Sequence, residues 1–216
     1  MPTKRLFSDW TKEELEATFH LERRFDEIVF AEWFGQSQQI ELKLFEREML
    51  TQLQDILITH ADAWNEAELS EYFIGPMLSL VNFNTPHFSI FSERSLTALV
   101  GEYELYGEPD ALIATGRYSP HVPYFCLHEY KRAYEPKGDP AAQALAAMLA
   151  AQALNPHQHP IYGMYVVAEK WYFMVLDSHA YGISFGHNAF KDEIFAIFKI
   201  LKALKVILIE IAKQDA

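Results

Sequence analysis

Apolar positions recur at three- and four-residue spacing through the first third of the chain. Phe25, Ile28, Val29 and Trp33 form one series, Gly35 breaks it, and Ile40, Leu44, Met49, Leu53, Ile56 and Leu57 continue it. The other faces are charged. Residues 4–62 are therefore expected to be helical throughout, as an extension (1–62) packed on a main domain (63–216). Ser8 or Asp9 is expected to cap the first helix, ahead of Glu13 and Glu14. Residues 64–81 predict another helix. Asn65 is a suitable cap, Glu66 and Glu68 favour the first turn, and Leu69, Phe73, Met77 and Leu80 share a face. Pro76 should kink that helix or divide it.

The pattern then shortens to strand-like runs. Residues 88–91, 95–100, 110–115 and 124–131 are expected as strands, and residues 101–107 alternate Tyr103 and Leu105 with charged neighbours before a turn. Asp139 and Pro140 suit the cap and first position of an alanine-rich helix over 141–154, and such a helix can approach a sheet closely. Residues 161–168 and 171–177 read as a hairpin turning at Glu169-Lys170, residues 181–185 as a short third strand, and 190–213 as a final helix with Asn188 or Asp192 near its start. Strands in irregular alternation with helices imply a mixed α/β or α+β fold: a central mixed sheet flanked by helices, with an N-terminal helical extension and a C-terminal helix.

Composition narrows the picture. Half of the 216 residues are hydrophobic and 14% are aromatic, enough for a large core. The lone cysteine, Cys126, excludes a disulfide framework and a cysteine-type zinc site. No apolar targeting segment is seen at the N-terminus, and the longest apolar stretch is interrupted by Lys199, Lys202, Lys205 and Glu210. A cytoplasmic protein without a membrane partner is expected. The net charge of −12 works against long-range attraction to nucleic acid.

Three charged residues stand at the ends of two neighbouring strand candidates. Asp110 opens one; Glu129 and Lys131, two apart and so on one face, close the next. Two carboxylates from adjacent strands suit a hard cation such as Mg²⁺. Such a cation activates water and stabilises charge on a phosphoryl oxygen. A lysine beside it can position or help deprotonate water, or stabilise developing negative charge. A same-face surface pair plus a strand-start aspartate is the plain alternative. His128 should face away from Glu129 and pack. His157 and His159 are either ligands or part of a polar loop, and Arg94, Arg117, Arg132 and Lys137 are candidates for phosphate contacts.

Pro109-Asp110 followed by Glu129-Tyr130-Lys131, with a helix before and after, resembles the PD-(D/E)xK nuclease superfamily. Further segments (Asn65 to Leu69, Phe73 to Pro76, Phe125 to Lys131, Asp139 to Gln152 and Ile197 to Lys205) are similar to a subgroup of small stand-alone bacterial proteins. The resemblance covers roughly residues 64–206 and implies a restriction-endonuclease-like core. It implies Asp110 and Glu129 as metal ligands, Lys131 as the catalytic lysine, and Glu66 as the acid from the preceding helix, with Glu68 and Glu71 as rivals. It also implies that Gln143, in the first turn of the following helix, faces the site. The cofactor would be Mg²⁺, with Mn²⁺ as a substitute, and the substrate nucleic acid, DNA rather than RNA. Two other classes remain: a binding module that keeps the fold without cutting, and an assembly protein. For the latter, the last helix carries Ile194, Phe195, Phe198, Leu201, Leu204, Leu208 and Ile211, an apolar surface for the sheet or for a partner such as a second copy.

Overall fold

A computed structural model describes residues 2–131, 138–156 and 159–214. In chain order it contains β1 (Thr3–Leu6), α1 (Lys12–Phe19), β2 (Glu22–Arg24), α2 (Ala31–Gln38), α3 (Leu44–His60), α4 (Glu66–Leu69), α5 (Gly75–Val81), β3 (Ser89–Ser92), β4 (Leu96–Val100), β5 (Tyr103–Gly107), β6 (Ala111–Thr115), β7 (His121–Lys131), α6 (Pro140–Leu154), β8 (Ile161–Val167), β9 (Lys170–Asp177), β10 (Ala180–Ile183), β11 (His187–Asn188) and α7 (Glu193–Gln214). The expected mixed α/β architecture is present. A large mixed sheet runs in the order β2-β10-β9-β8-β7-β6-β3, with β11 against β9, and a smaller sheet runs β1-β5-β4.

Helices cover both faces of the large sheet, and strand alternation divides the core between them. On β6, Ala111 and Ile113 join the cluster that holds Phe73, Met77, Phe198 and Leu201, while Leu112 and Ala114 join the α6 side. The alanines of α6 let it lie close to the sheet. A Cβ on Gly163 in β8 would come within 2.6 Å of the Met148 sulfur. Asp139 caps α6 by accepting from the N–H groups of Ala141 and Ala142, as its sequence suggested. β7 and β8 pair in parallel, and α6 forms the crossover between them. The apolar face of α7 is covered by this chain itself: Ile194, Phe198, Leu201, Leu204 and Leu208 are buried, and the Trp33 Nε1–H donates to the Ile200 carbonyl at 2.8 Å.

The first 62 residues depart from the expectation of continuous helix. β1 pairs in parallel with β5, and β2 pairs in parallel with β10. Neither T-K-R-L nor E-R-R carries an alternating apolar signal; their strand form comes from the free edges of distant strands rather than local propensity. The cap of α1 is Thr11, not Ser8 or Asp9. Its hydroxyl accepts from the Glu14 N–H while Glu14 returns to the Thr11 N–H, a reciprocal pair that Ser8 and Asp9 cannot form at this spacing. Gly35 lies inside α2 with open space around its Cβ position, so it does not end the helix. The buried stripe of α3 is Leu50, Leu53 and Leu57, while Leu44, Met49 and Ile56 are exposed. Phe25 and Ile28 are exposed as well, because the chain there is an extended strand and a tight 3-10 turn instead of a helix.

The α3 phase is testable by urea unfolding. Leu57→Ala removes a fully buried side chain and should cost about 2–5 kcal/mol. Met49→Ala on the exposed face should change stability by about 0.5 kcal/mol or less. Equal losses would contradict the burial pattern.

Candidate metal centre

The site is built from a register, a cap and a widened helical turn. β6 and β7 are antiparallel with Ala111 opposite His128, so the preceding residue, Asp110, comes level with Glu129. The backbone N–H of Tyr130 donates to Asp110 Oδ2 at 2.5 Å and fixes that carboxylate at the strand end. Glu129 is buried, at 2% exposure, and Lys131 ends the same strand.

Glu66 arrives from α4. Asn65 caps this helix by accepting from the Glu68 N–H, and Glu68 reaches back to the Asn65 N–H at 2.8 Å. The capping box therefore occupies Glu68, whereas Glu66, in the first turn, points towards the sheet. Glu71 is exposed and stands outside the cluster. Of the rival acids, Glu66 is the one brought to Asp110 and Glu129. Beyond α4 the helix widens into a π turn over Ser70–Ile74, in which the Gly75 N–H donates to the Ser70 carbonyl. This is how the chain accommodates Pro76, which cannot donate and whose ring displaces the carbonyl one turn earlier. A side chain at position 75 would put its Cβ 2.9 Å from the Ser70 oxygen, so glycine suits the turn.

Carboxylate oxygens of Glu66, Asp110 and Glu129 lie within 4.8 Å of one another. Lys131 Nζ stands 3.1 Å from Glu66 Oε1 and 2.8 Å from Glu129 Oε1. The second approach is close but poorly aligned. Glu129 Oε1 consequently has no hydrogen-bond donor among the described residues, although it is buried. A buried carboxylate whose Oε1 is met by the Lys131 ammonium alone, facing two further carboxylates, belongs to a donor set suited to a hard divalent cation.

The electrostatics agree with that fit. Burial pushes Asp110 up to about 6, against the Tyr130 N–H and Lys131, which pull it down. Burial and then the neighbouring Asp110 push Glu129 up to about 8, with Lys131 again opposing. One lysine shared with Glu66 does not offset three acids in a partly desolvated place. Burial alone would lower Lys131, but Glu129 and Glu66 more than reverse this and hold it above its ordinary value. In this metal-free arrangement Lys131 keeps its proton.

The other sequence candidates fall in several places. Gln143 lies in the first turn of α6, half-buried, and no hydrogen bond joins its side chain to the acids among the described residues. His128 is buried and its Nδ1 lies 2.9 Å from the Tyr130 hydroxyl, the packing role expected of it. Arg94 is exposed on the turn after β3, where the Glu93 N–H donates to the Asp110 carbonyl. Arg117 follows the far end of β6, a strand length from Asp110, and so does not serve this site. His159 is described but is not among the clustered acids; His157, Arg132 and Lys137 lie outside the described residues. Two participants carried no sequence signal: the Tyr130 backbone N–H, which is invisible in side-chain patterns, and Glu93, which lines the adjoining cleft. That cleft is open, has a volume of ≈ 630 Å³, and lies between the α4–α5 segment and the edge strand β3, with Glu66 and Asp110 in its wall.

Comparison with known proteins gives no match to any family model and no match among curated proteins. Among the described residues no helix is long and apolar enough to cross a membrane.

The raised carboxylates have a consequence for stability. Asp110 and Glu129 bind protons more tightly in the folded chain than at their ordinary values of 3.8 and 4.5. Protonation of these two carboxyls therefore favours folding, and by itself it makes stability fall as pH rises from about 4.5 towards about 8. Buried His128 and His187, whose pKa values burial lowers, act in the opposite sense below about 6.5, so the metal-free protein should show the fall between about 6.5 and about 8. Melting curves across that window should show a fall that Glu129→Gln reduces. Mn²⁺ should raise the wild-type Tm more at the alkaline end, where protons no longer compete. Parallel pH profiles for wild type and Glu129→Gln would refute the assignment.

Proposed function

We propose that the chain is a metal-dependent nuclease that hydrolyses phosphodiester bonds, with DNA as its substrate. The observation that carries this reading is the convergence of Glu66 on Asp110 and Glu129 beside Lys131. A surface pair with a strand-start aspartate has no need of a third acid from a distant helix, nor of a glutamate buried to 2% exposure. Glu66, Asp110 and Glu129 would hold Mg²⁺ or Mn²⁺. When bound, that ion supplies a more acidic water and a counter-charge for the phosphoryl oxygens. Hydrolysis adds water across one P–O ester bond, leaves a phosphate monoester on one fragment and releases an alcohol on the other. Within the protein, the Tyr130 N–H keeps Asp110 oriented. Lys131 offers positive charge where negative charge grows, a contribution that depends on its being fixed before the reaction. The remote arm of the site depends on Asn65, because the cap sets where Glu66 points. A cytoplasmic setting agrees with the single cysteine, Cys126, which is buried and whose thiol burial makes less acidic.

The test is cleavage of mixed DNA substrates in Mg²⁺ or Mn²⁺. Asp110→Asn, Glu66→Gln and Lys131→Ala should each lower the rate by about 10²-fold or more. Glu71→Gln should not, which separates the assigned helix acid from its exposed neighbour. Activity that survives Asp110→Asn and Lys131→Ala would remove the proposal. Metal binding without cleavage by the wild type would leave a nuclease-like binding module instead.

A further inference from the structure

The cleft beside the acids has a lining that a metal ion does not account for. Its walls carry uncharged polar groups, among them Ser70, Ser79, Asn82 and Asn84, over an apolar floor that includes Leu78 and Ile90. No lysine or arginine lines it among the described residues. It contains one more acid, Glu93, which is exposed on the turn after β3 and is not one of the three that converge. A cation held by Glu66, Asp110 and Glu129 would leave Glu93 without a counter-charge. A phosphate entering the cleft would meet that carboxylate and no basic side chain in the lining, a repulsion that solvent weakens but nothing in the lining reverses.

A nucleobase has the opposite requirements. It is flat and neutral, its faces suit aliphatic side chains, and its edge offers donors and acceptors to hydroxyl and amide groups. A carboxylate on a turn can accept from an exocyclic amino group, as carboxylates do from cytosine. A base that is paired and stacked in a duplex cannot enter such a cleft, whereas an unpaired one can. We infer that this cleft binds one unpaired nucleobase beside the phosphate to be hydrolysed, with Glu93 accepting from its exocyclic amino group. The substrate class is then single-stranded or locally opened nucleic acid, with a base that bears an amino group preferred. The inference rests on the nuclease reading above and adds to it where the chain beside the cut must be unpaired.

The experiment reads binding apart from cleavage. Fluorescence anisotropy in Ca²⁺ compares labelled oligo-dC, oligo-dT and the blunt duplex of oligo-dC with oligo-dG. Wild type should bind oligo-dC about tenfold more tightly than oligo-dT or the duplex, the discrimination typical of one good base contact. Glu93→Ala, which removes the acceptor that a glutamine would keep, should abolish the preference for dC over dT. Ser79→Trp fills the cleft from an exposed helical position. It should bring oligo-dC down to the level of the duplex, while the Tm and the Mn²⁺ affinity stay as in the wild type. Equal affinity of wild type for strand and duplex, or unaltered binding by a folded Ser79→Trp, would overturn the inference. Cleavage in Mn²⁺ is read separately. Selective binding of the unpaired strand without hydrolysis supports the cleft assignment and refutes the nuclease reading. Hydrolysis of strand and duplex alike, with no effect of Ser79→Trp, supports the nuclease reading and refutes the cleft assignment.

Discussion

Three carboxylates within 4.8 Å of one another, sharing a single lysine, form the constraint around which this end of the molecule is organised. Two unit charges at that separation repel by roughly 3–4 kcal/mol at an effective dielectric of about 20. Placing one of them on a strand at 2% exposure adds a desolvation cost. A fold can hold such a group only if its surroundings are rigid and most of its stability lies elsewhere. Here both conditions hold. Asp110 and Glu129 stand at the ends of adjacent strands, second and third from the β3 edge of a large sheet, with packed helices on both faces. The unfavourable charge is thus carried by a framework whose alanine-rich crossover and α7 layer do not depend on it.

The third acid requires a different solution, because its helix has to meet a sheet end from outside. The reciprocal bonds between Asn65 and Glu68 fix the first turn of α4, and the π turn over Ser70–Ile74 re-aims the helix before Pro76. A π turn changes which residues share a face by one position. Phe73 and Ile74, within it, are both fully buried, while Glu66, before it, reaches Lys131. Gly75 and Pro76 therefore act at a distance on the site: one tolerates the close carbonyl, and the other excludes regular helix.

The sequence made the strand acids and their lysine legible because strand periodicity is strict. Residues two apart share a face, and Asp110 and Glu129 are separated by enough chain for one return. The cap at Asp139 and the close approach of the alanine-rich helix to the sheet were also legible, since both follow from local residue chemistry. The choice among Glu66, Glu68 and Glu71 was not. It depends on which carboxylate turns back to the cap, and a sequence shows all three as helix acids. Nor were β1 and β2 legible, because their pairing is set by the edges of β5 and β10 far along the chain. The apolar stripe of α3 was legible in part: Leu53 and Leu57 are buried as expected, while Leu44, Met49 and Ile56 are exposed and Leu50 joins the buried set. Met49 and Ile56 each precede a buried leucine, Leu50 and Leu57, and packing against α5 and α7 decides which neighbour turns inward.

The acidity of the whole chain and the character of the cleft bear on the same question. At a net charge of −12, a polyanion gains little from long-range steering, so selectivity has to come from short-range contacts. A cation held by the three acids would supply local positive potential at one phosphate, and Lys131 adds a second such group. Away from that point the cleft presents amides, hydroxyls and aliphatic carbons, which interact with bases better than with phosphates. Binding assembled in this way should depend weakly on salt compared with a basic groove, because few phosphates are neutralised and few counterions released. On the proposed reading, the acidic surface would act as a filter: it would disfavour non-specific association along a duplex and leave productive contact to substrates that place a base in the cleft.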